Sequence, residues 1–140
     1  MKRANSAISD YNNLMGMACD KNKPSDLKKQ IYMTVMSINI LEAVRFYVSF
    51  ICSFAFAENK KMAGNADIIK LIKRDEALHL TNTKEILKIL QREESEGFVK
   101  IAKQCEEDAI KMFESAAKEE KEWASYLFKD GSIIGLNEVV

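Results

Sequence analysis

The sequence predicts an all-α protein, and three observations lead to that prediction. The 140 residues include one proline and five glycines, so few turns interrupt the chain. Apolar residues recur at helical spacing over long stretches, with charged residues between them. No segment of useful length alternates apolar and polar residues as a half-buried strand does. We therefore expect four main helices packed as a single domain over residues 1–140.

Helical periodicity and stop signals set the expected limits of each helix. The four helices are predicted at about residues 3–18, 26–62, 66–90 and 98–127. Gly64-Asn65 is the stop signal after the second helix, and Lys129-Asp130-Gly131 follows the fourth. A regular second helix would be roughly 55 Å long, so we expect a large bundle or a local bulge or kink that divides it.

The overall composition favours a folded, soluble protein. Hydrophobic residues make up 47% and charged residues 30% of the chain. Lys+Arg 21 balance Asp+Glu 21, so the charge gives no support for a nucleic-acid or anionic-membrane partner. The cysteines, Cys19, Cys52 and Cys105, are too far apart for a metal clip and odd in number. A reducing, cytoplasmic location is the simpler interpretation.

Residues 31–57 are apolar enough to require a membrane check. The only charged side chains there are Glu42 and Arg45, near the middle of the run, where charges are costly in lipid. We interpret the segment as a buried core helix, with a transmembrane span as the alternative.

The only histidine of the chain lies three residues after a glutamate, in Glu76-Ala77-Leu78-His79. Side chains at this spacing share one face of a helix. In a helical bundle, Glu-x-x-His places a carboxylate and an imidazole on one metal ion, and a complete di-metal site needs two such pairs plus two further carboxylates. One copy of this chain can therefore supply only half of such a site.

Glu42 interrupts the core stripe of the second helix, as Glu76 and His79 interrupt that of the third. The predicted apolar face of the second helix carries Ile31, Val35, Ile38, Glu42, Phe46, Ser49, Ser53 and Phe56. The corresponding face of the third carries Ile68, Ile69, Ile72, Glu76, His79, Thr83, Ile86 and Leu90. A buried charge is costly unless it is paired or bound to metal, so the interruptions indicate a ligand site between two antiparallel helices.

Purely structural interpretations of the same residues stay open. Glu42 could pair with Arg45 one turn later, and Glu76 could pair with Lys73. His79 could have a backbone or side-chain partner. In that case the chain is a non-catalytic helical module whose apolar faces only pack against a partner.

Three stretches resemble the small subunit of aerobic class I ribonucleotide reductase, most closely the bacterial and bacteriophage proteins. They are the run from Leu41 to Glu58, the run from Gly64 to Thr81 that contains Arg74-Asp75-Glu76-Ala77-Leu78-His79, and the run from Glu122 to Asn137. The similarity covers nearly the whole chain. It implies a ferritin-like helical bundle, of which this chain would be the C-terminal half.

The resemblance also implies roles for individual residues. Glu42, Glu76 and His79 match metal ligands of a di-iron or di-manganese centre that generates a radical for ribonucleotide reduction. The apolar pocket around the radical-bearing tyrosine is matched by Phe46, Phe50 and Ile72. Asp75 matches the aspartate of a hydrogen-bonded path toward the large subunit.

Family members are much longer, so the resemblance implies partners. A complementary N-terminal segment would carry the remaining ligands and the radical tyrosine, and the assembled small subunit would act with the large subunit. We expect a fragment: a split-gene product, an intron-interrupted frame and a truncated record all fit, and no activity is expected of the chain alone. Without its complement, the chain could form a homodimer in which two copies of Glu42, Glu76 and His79 complete a di-metal site.

Overall fold

The computed structural model describes residues 8–9, 11–16, 24–132 and 135–137, and helices dominate them, which confirms the all-α prediction. The helices are α1 (Pro24–Ile40), a π-helical turn (Leu41–Arg45), α2 (Tyr47–Glu58), α3 (Ala63–Leu90), α4 (Phe98–Gln104) and α5 (Glu106–Leu127). Of the predicted first helix, residues 8–9 and 11–16 are helical, and the rest lies outside the described residues, as does Cys19.

The long second helix is divided as expected, by the π-helical turn. Its two ends, Ile40 and Phe46, keep right-handed helical backbone angles, so the chain continues in one general direction. The prediction that Gly64-Asn65 ends this helix is wrong, because both residues lie in the first turn of α3. The chain reverses earlier, where Lys60 and Met62 take left-handed conformations with φ of 58° and 54°.

The predicted fourth helix is interrupted at Cys105, which separates α4 from α5. No proline or glycine is present there, and the backbone of Cys105 has φ −94° and ψ 0°. Its N–H still donates to the Ile101 carbonyl and its carbonyl still accepts from Ala109. The interruption is therefore a bend, with the Cys105 side chain completely buried in the core.

The core lies between α1, α3, α4 and α5. Its buried members are Tyr32, Met36, Ile40, Leu87, Phe98, Cys105, Ala109 and Ala116. On α1 the buried residues include Tyr32, Met36 and Asn39, each one position later than the predicted Ile31, Val35 and Ile38, which are only half-buried. The difference arises because α1 packs against three helices, and the buried side faces the groove between them.

The helices that carry the candidate ligands are antiparallel, as predicted. Tyr32 near the start of α1 accepts a hydrogen bond from Gln91 just after α3, and Asn39 near the end of α1 bonds to Thr83. Residue numbers therefore increase along α1 in the direction in which they decrease along α3.

Pro24–Glu58 is long and apolar enough to cross a membrane by length and composition alone. The core helix of a soluble protein passes the same test. Here Tyr32, Met36 and Ile40 of this segment belong to the core, and Glu42 and Arg45 lie in its middle.

Candidate metal centre

Glu42 is held inside the helix bundle by the π-helical turn. Such turns are rare, and they occur frequently at functional sites. The Glu42 side chain is only 10% exposed. Its Oε2 atom is buried and has no hydrogen-bond partner among the described residues. Burial of a carboxylate oxygen without a hydrogen-bond partner is costly in free energy. A proton or a cation bound at this atom would offset that cost.

Glu76 and His79 approach Glu42 from α3. His79 Nδ1 lies 3.0 Å from Glu76 Oε2 and 3.9 Å from Glu42 Oε1. One ligand atom from each of the three residues lies within 4.8 Å of the others. The Glu76 side chain is 17% exposed and that of His79 is 57% exposed, so the cluster opens on the His79 side. The three residues that the sequence predicted as a group do converge.

The electrostatics of the cluster favour a bound positive charge. The pKa of Glu42 is raised from 4.5 to about 7, first by burial and then by a hydrogen bond to Glu76 and the negative charge of that carboxylate; His79 lowers it. In the protein alone, the neighbouring groups therefore do not fully offset the negative charge of ionised Glu42. A divalent cation would replace the proton and offset the repulsion between the two carboxylates.

Arg45 and Asn39 flank the cluster with buried polar contacts. Arg45 Nη1 forms an ion pair with Glu119 Oε2 on α5 at 2.5 Å. On the other side, Asn39 Nδ2 donates to Thr83 Oγ1 at 2.9 Å. No role for Asn39 is predicted from the sequence. Its position one turn before Glu42 was the only available signal.

The other residues singled out by the resemblance occupy different environments. Phe50 is buried and stacks on Phe46, with ring centroids 5.7 Å apart. Ile72, one turn before Glu76 on α3, is 38% exposed. Asp75 is exposed beside Glu76. The structure thus places Phe46 and Phe50 as a packed pair one and two turns beyond Glu42, and leaves Ile72 and Asp75 on the surface.

The prediction of a core-facing stripe on α3 is only partly correct. The exposed large apolar residues of α3 are Ile68, Leu71, Ile72, Leu78, Ile86 and Ile89. The helix instead buries the side that carries Ala66, Thr83 and Leu87, because α1 and α2 pack there. We call the six exposed residues the open face of α3. It borders His79 on the same helix.

The profile of the family described as "Ribonucleotide reductase, small chain" matches residues 1–140. The ribonucleoside-diphosphate reductase subunit beta of Haemophilus influenzae is 59% identical over 112 residues, which are 79% of this chain and 30% of that protein. The Buchnera aphidicola protein from Acyrthosiphon pisum is 58% identical over 113 residues, 80% of this chain and 30% of its own length.

A bacteriophage relative gives the same picture. The subunit beta of Enterobacteria phage T4 is 49% identical over 114 residues, 80% of this chain and 29% of that protein. The chain therefore spans about 30% of the length of the relatives it matches. With the family profile covering the full sequence, the chain belongs to the ribonucleotide reductase small chain family, and resembles its bacterial and phage members.

Proposed function

We propose that this chain contributes half of the di-metal carboxylate centre of a ribonucleotide reductase small subunit, with Glu42, Glu76 and His79 as ligands. The observation that carries the proposal is the convergence of their ligand atoms within 4.8 Å. Two carboxylates and an imidazole suit iron and manganese. The Oε2 atom of Glu42 is buried and has no hydrogen-bond partner in the described part of the chain, which supports the proposal, since a cation there would compensate its charge.

The chemistry that a di-iron or di-manganese centre supplies when bound is radical generation with dioxygen, which supports reduction of ribonucleotides to deoxyribonucleotides. This chain's part is to hold three ligands. In our proposal Phe46, Phe50 and Ile72 line the apolar pocket of the radical site once the complementary segment covers the exposed Ile72, and Asp75 holds a hydrogen bond on the path toward the large subunit. The Phe46–Phe50 stack supports an apolar role for that pair.

We infer that the chain forms a single domain, the C-terminal part of a ferritin-like bundle, that works in the cytoplasm. Its principal partner would be the complementary N-terminal small-subunit segment, and the assembled subunit would act with the large subunit. The open face of α3 supports the first partner, because six exposed apolar side chains lie beside the ligand residues, and exposed apolar surface favours association. The oxidoreductase activity belongs to that assembly.

Metal content tests the ligand assignment. The chain would be loaded with Fe²⁺ or Mn²⁺ without oxygen, desalted and analysed for metal, beside the double variant Glu76→Ala/His79→Ala. A matched control is Glu85→Ala/Lys88→Ala, which removes an exposed ion pair of the same spacing from the same helix. We expect metal loss only in the first variant. Equal metal content in all three proteins would favour the competing function, a helical packing module without a metal site.

Complementation tests the proposed assembly. The chain would be mixed with an N-terminal small-subunit segment, iron and dioxygen, and followed by electron paramagnetic resonance. We expect a radical signal from the mixture and none from the chain alone. A tyrosyl radical from the isolated chain would contradict the half-site proposal.

Sedimentation of the chain, first without its complementary segment, distinguishes the partners that could bind the open face of α3. A monomer that associates with the added segment supports the proposed partner. A dimer that forms only with Fe²⁺ or Mn²⁺ would point instead to a symmetric site between two copies. A metal-independent dimer would refute the symmetric site.

A further inference from the structure

A buried polar contact joins α1 to α3 next to the carboxylate–imidazole cluster. Asn39 Nδ2 donates to Thr83 Oγ1 at 2.9 Å and lies 3.4 Å from the Leu80 carbonyl oxygen. Asn39 and Thr83 are both 9% exposed. Thr83 Oγ1 is 3.0 Å from the His79 carbonyl oxygen and 3.1 Å from that of Leu80, so its own proton is donated within α3. The contact therefore connects an α1 side chain to the backbone turn that begins at His79.

The contact and the cluster lie at neighbouring levels of the same helix pair. Asn39 is three residues before Glu42, and Thr83 is four residues after His79. These separations correspond to about 4.5 Å and about 6 Å along the two helices. Because the helices are antiparallel, the step from Asn39 to Glu42 and the step from Thr83 to His79 run in the same direction in space. A shift of one helix along the other at Asn39–Thr83 would displace Glu42 from His79 by a similar distance.

Apart from the Tyr32–Gln91 hydrogen bond at the other end of α1, the neighbouring contacts between these helices are apolar and less able to define one register. Met36, Ile40 and Leu87 belong to the apolar core, and apolar contacts are not directional. A buried amide that loses its partner is costly, so the Asn39–Thr83 pair favours a single register. Asn39 also lies just before the π-helical turn, where the regular hydrogen-bond pattern of α1 ends. The Asn39–Thr83 pair therefore lies at the point where the helix departs from regular geometry.

We propose that Asn39 and Thr83 are positioning residues that fix the register of α1 against α3 and hold Glu42 opposite Glu76 and His79. The inference rests on the metal-binding function proposed above. It extends that function to two residues that contribute no ligand atom.

Replacement of Thr83 by valine removes the hydroxyl and preserves the branched shape. Co²⁺ titration of the full chain, followed by visible absorption, reports both affinity and ligand geometry. We expect Thr83→Val to weaken Co²⁺ binding about tenfold, as second-sphere changes typically do, and to alter the Co²⁺ spectrum. Thr83→Ser should restore both. The matched control is Thr81→Val, which removes an exposed hydroxyl bonded to the Ala77 carbonyl of its own helix.

A metal-free measurement tests the contact independently. Urea unfolding of Asn39→Ala, Thr83→Val and the double variant should be non-additive if the two residues are coupled. Additive effects on the free energy of unfolding would overturn the inference. Equal Co²⁺ affinities of Thr83→Val and Thr81→Val would overturn it too. If the wild type binds Co²⁺ and Thr83→Val binds it equally well, only the positioning role is overturned. Failure of the wild type to bind Co²⁺ overturns the metal-binding proposal and the positioning role together.

Discussion

Substitution of Glu42 by glutamine isolates the effect of its buried charge. Glutamine keeps the length and planar end of the side chain but is neutral at every pH. In the metal-free chain the pKa of Glu42 is about 7, against an ordinary value of 4.5. Because the folded state has the higher pKa, the stabilising contribution of protonated Glu42 is fully present below pH 4.5. It is lost as the pH rises through about 7.

The size of the effect follows from the two pKa values. Their difference corresponds to a loss of up to about 3 kcal/mol in the free energy of unfolding once Glu42 is ionised in both states. The adjacent His79 side chain is 57% exposed, so solvent screens part of this effect and the figure is an upper limit. The wild type and Glu42→Gln should therefore have similar stability near pH 4.5. At about pH 8.5 the variant should be more stable, by up to about 3 kcal/mol.

Urea unfolding between these pH values, with a chelator present and followed by circular dichroism, measures the difference. Glu85→Gln is a suitable control, because Glu85 is an exposed carboxylate on α3 whose pKa is lowered by Lys88. Excess Mn²⁺ should reverse the order at high pH, since the cation binds the ionised Glu42 and stabilises the folded wild type. A stability difference between wild type and Glu42→Gln that does not vary with pH would refute the reasoning.

Three further predictions concern packing and association. Glu119→Gln should lower the unfolding free energy by about 2 kcal/mol in urea, because it weakens the ion pair of the buried Arg45; an unchanged midpoint would contradict this. Ile40→Ala should cost about 2–5 kcal/mol in the same assay, because Ile40 is 1% exposed and its truncation leaves a cavity. Leu78→Gln should reduce association with the complementary segment, measured by sedimentation, with little loss of stability, because Leu78 is 60% exposed; unchanged association would exclude this part of the open face of α3 from the contact.

The cluster could be predicted because each of its members breaks an apolar pattern. Glu42 stands in an otherwise apolar run, and Glu76 and His79 share the spacing of a ligand pair. Antiparallel packing then brings the two helices together, which the structure confirms. A charged residue among apolar neighbours is visible in sequence because its burial needs compensation.

Other features depend on tertiary packing that local sequence does not encode. The bend at Cys105 has no proline or glycine to announce it. The partner of Arg45 is Glu119, which is 74 residues away and unrelated to it by helical spacing. On α3, a helical wheel identifies the apolar residues but does not determine which of them the neighbouring helices cover. Ile68 and Ile86 are therefore exposed although the periodicity predicted burial.

Because of the π-helical turn, the buried faces of α1 and α2 need not follow one continuous helical periodicity. If the same five residues formed regular α-helix, everything after them would rotate by about 100° relative to α1, the angle of the one extra residue that the π-helical turn accommodates. Tyr32 and Ile40 could then keep their core contacts, but Phe50 would turn away from its present neighbours. The inserted residue thus lets one continuous segment satisfy two differently oriented sets of contacts, and Glu42 lies at the point where the orientation changes.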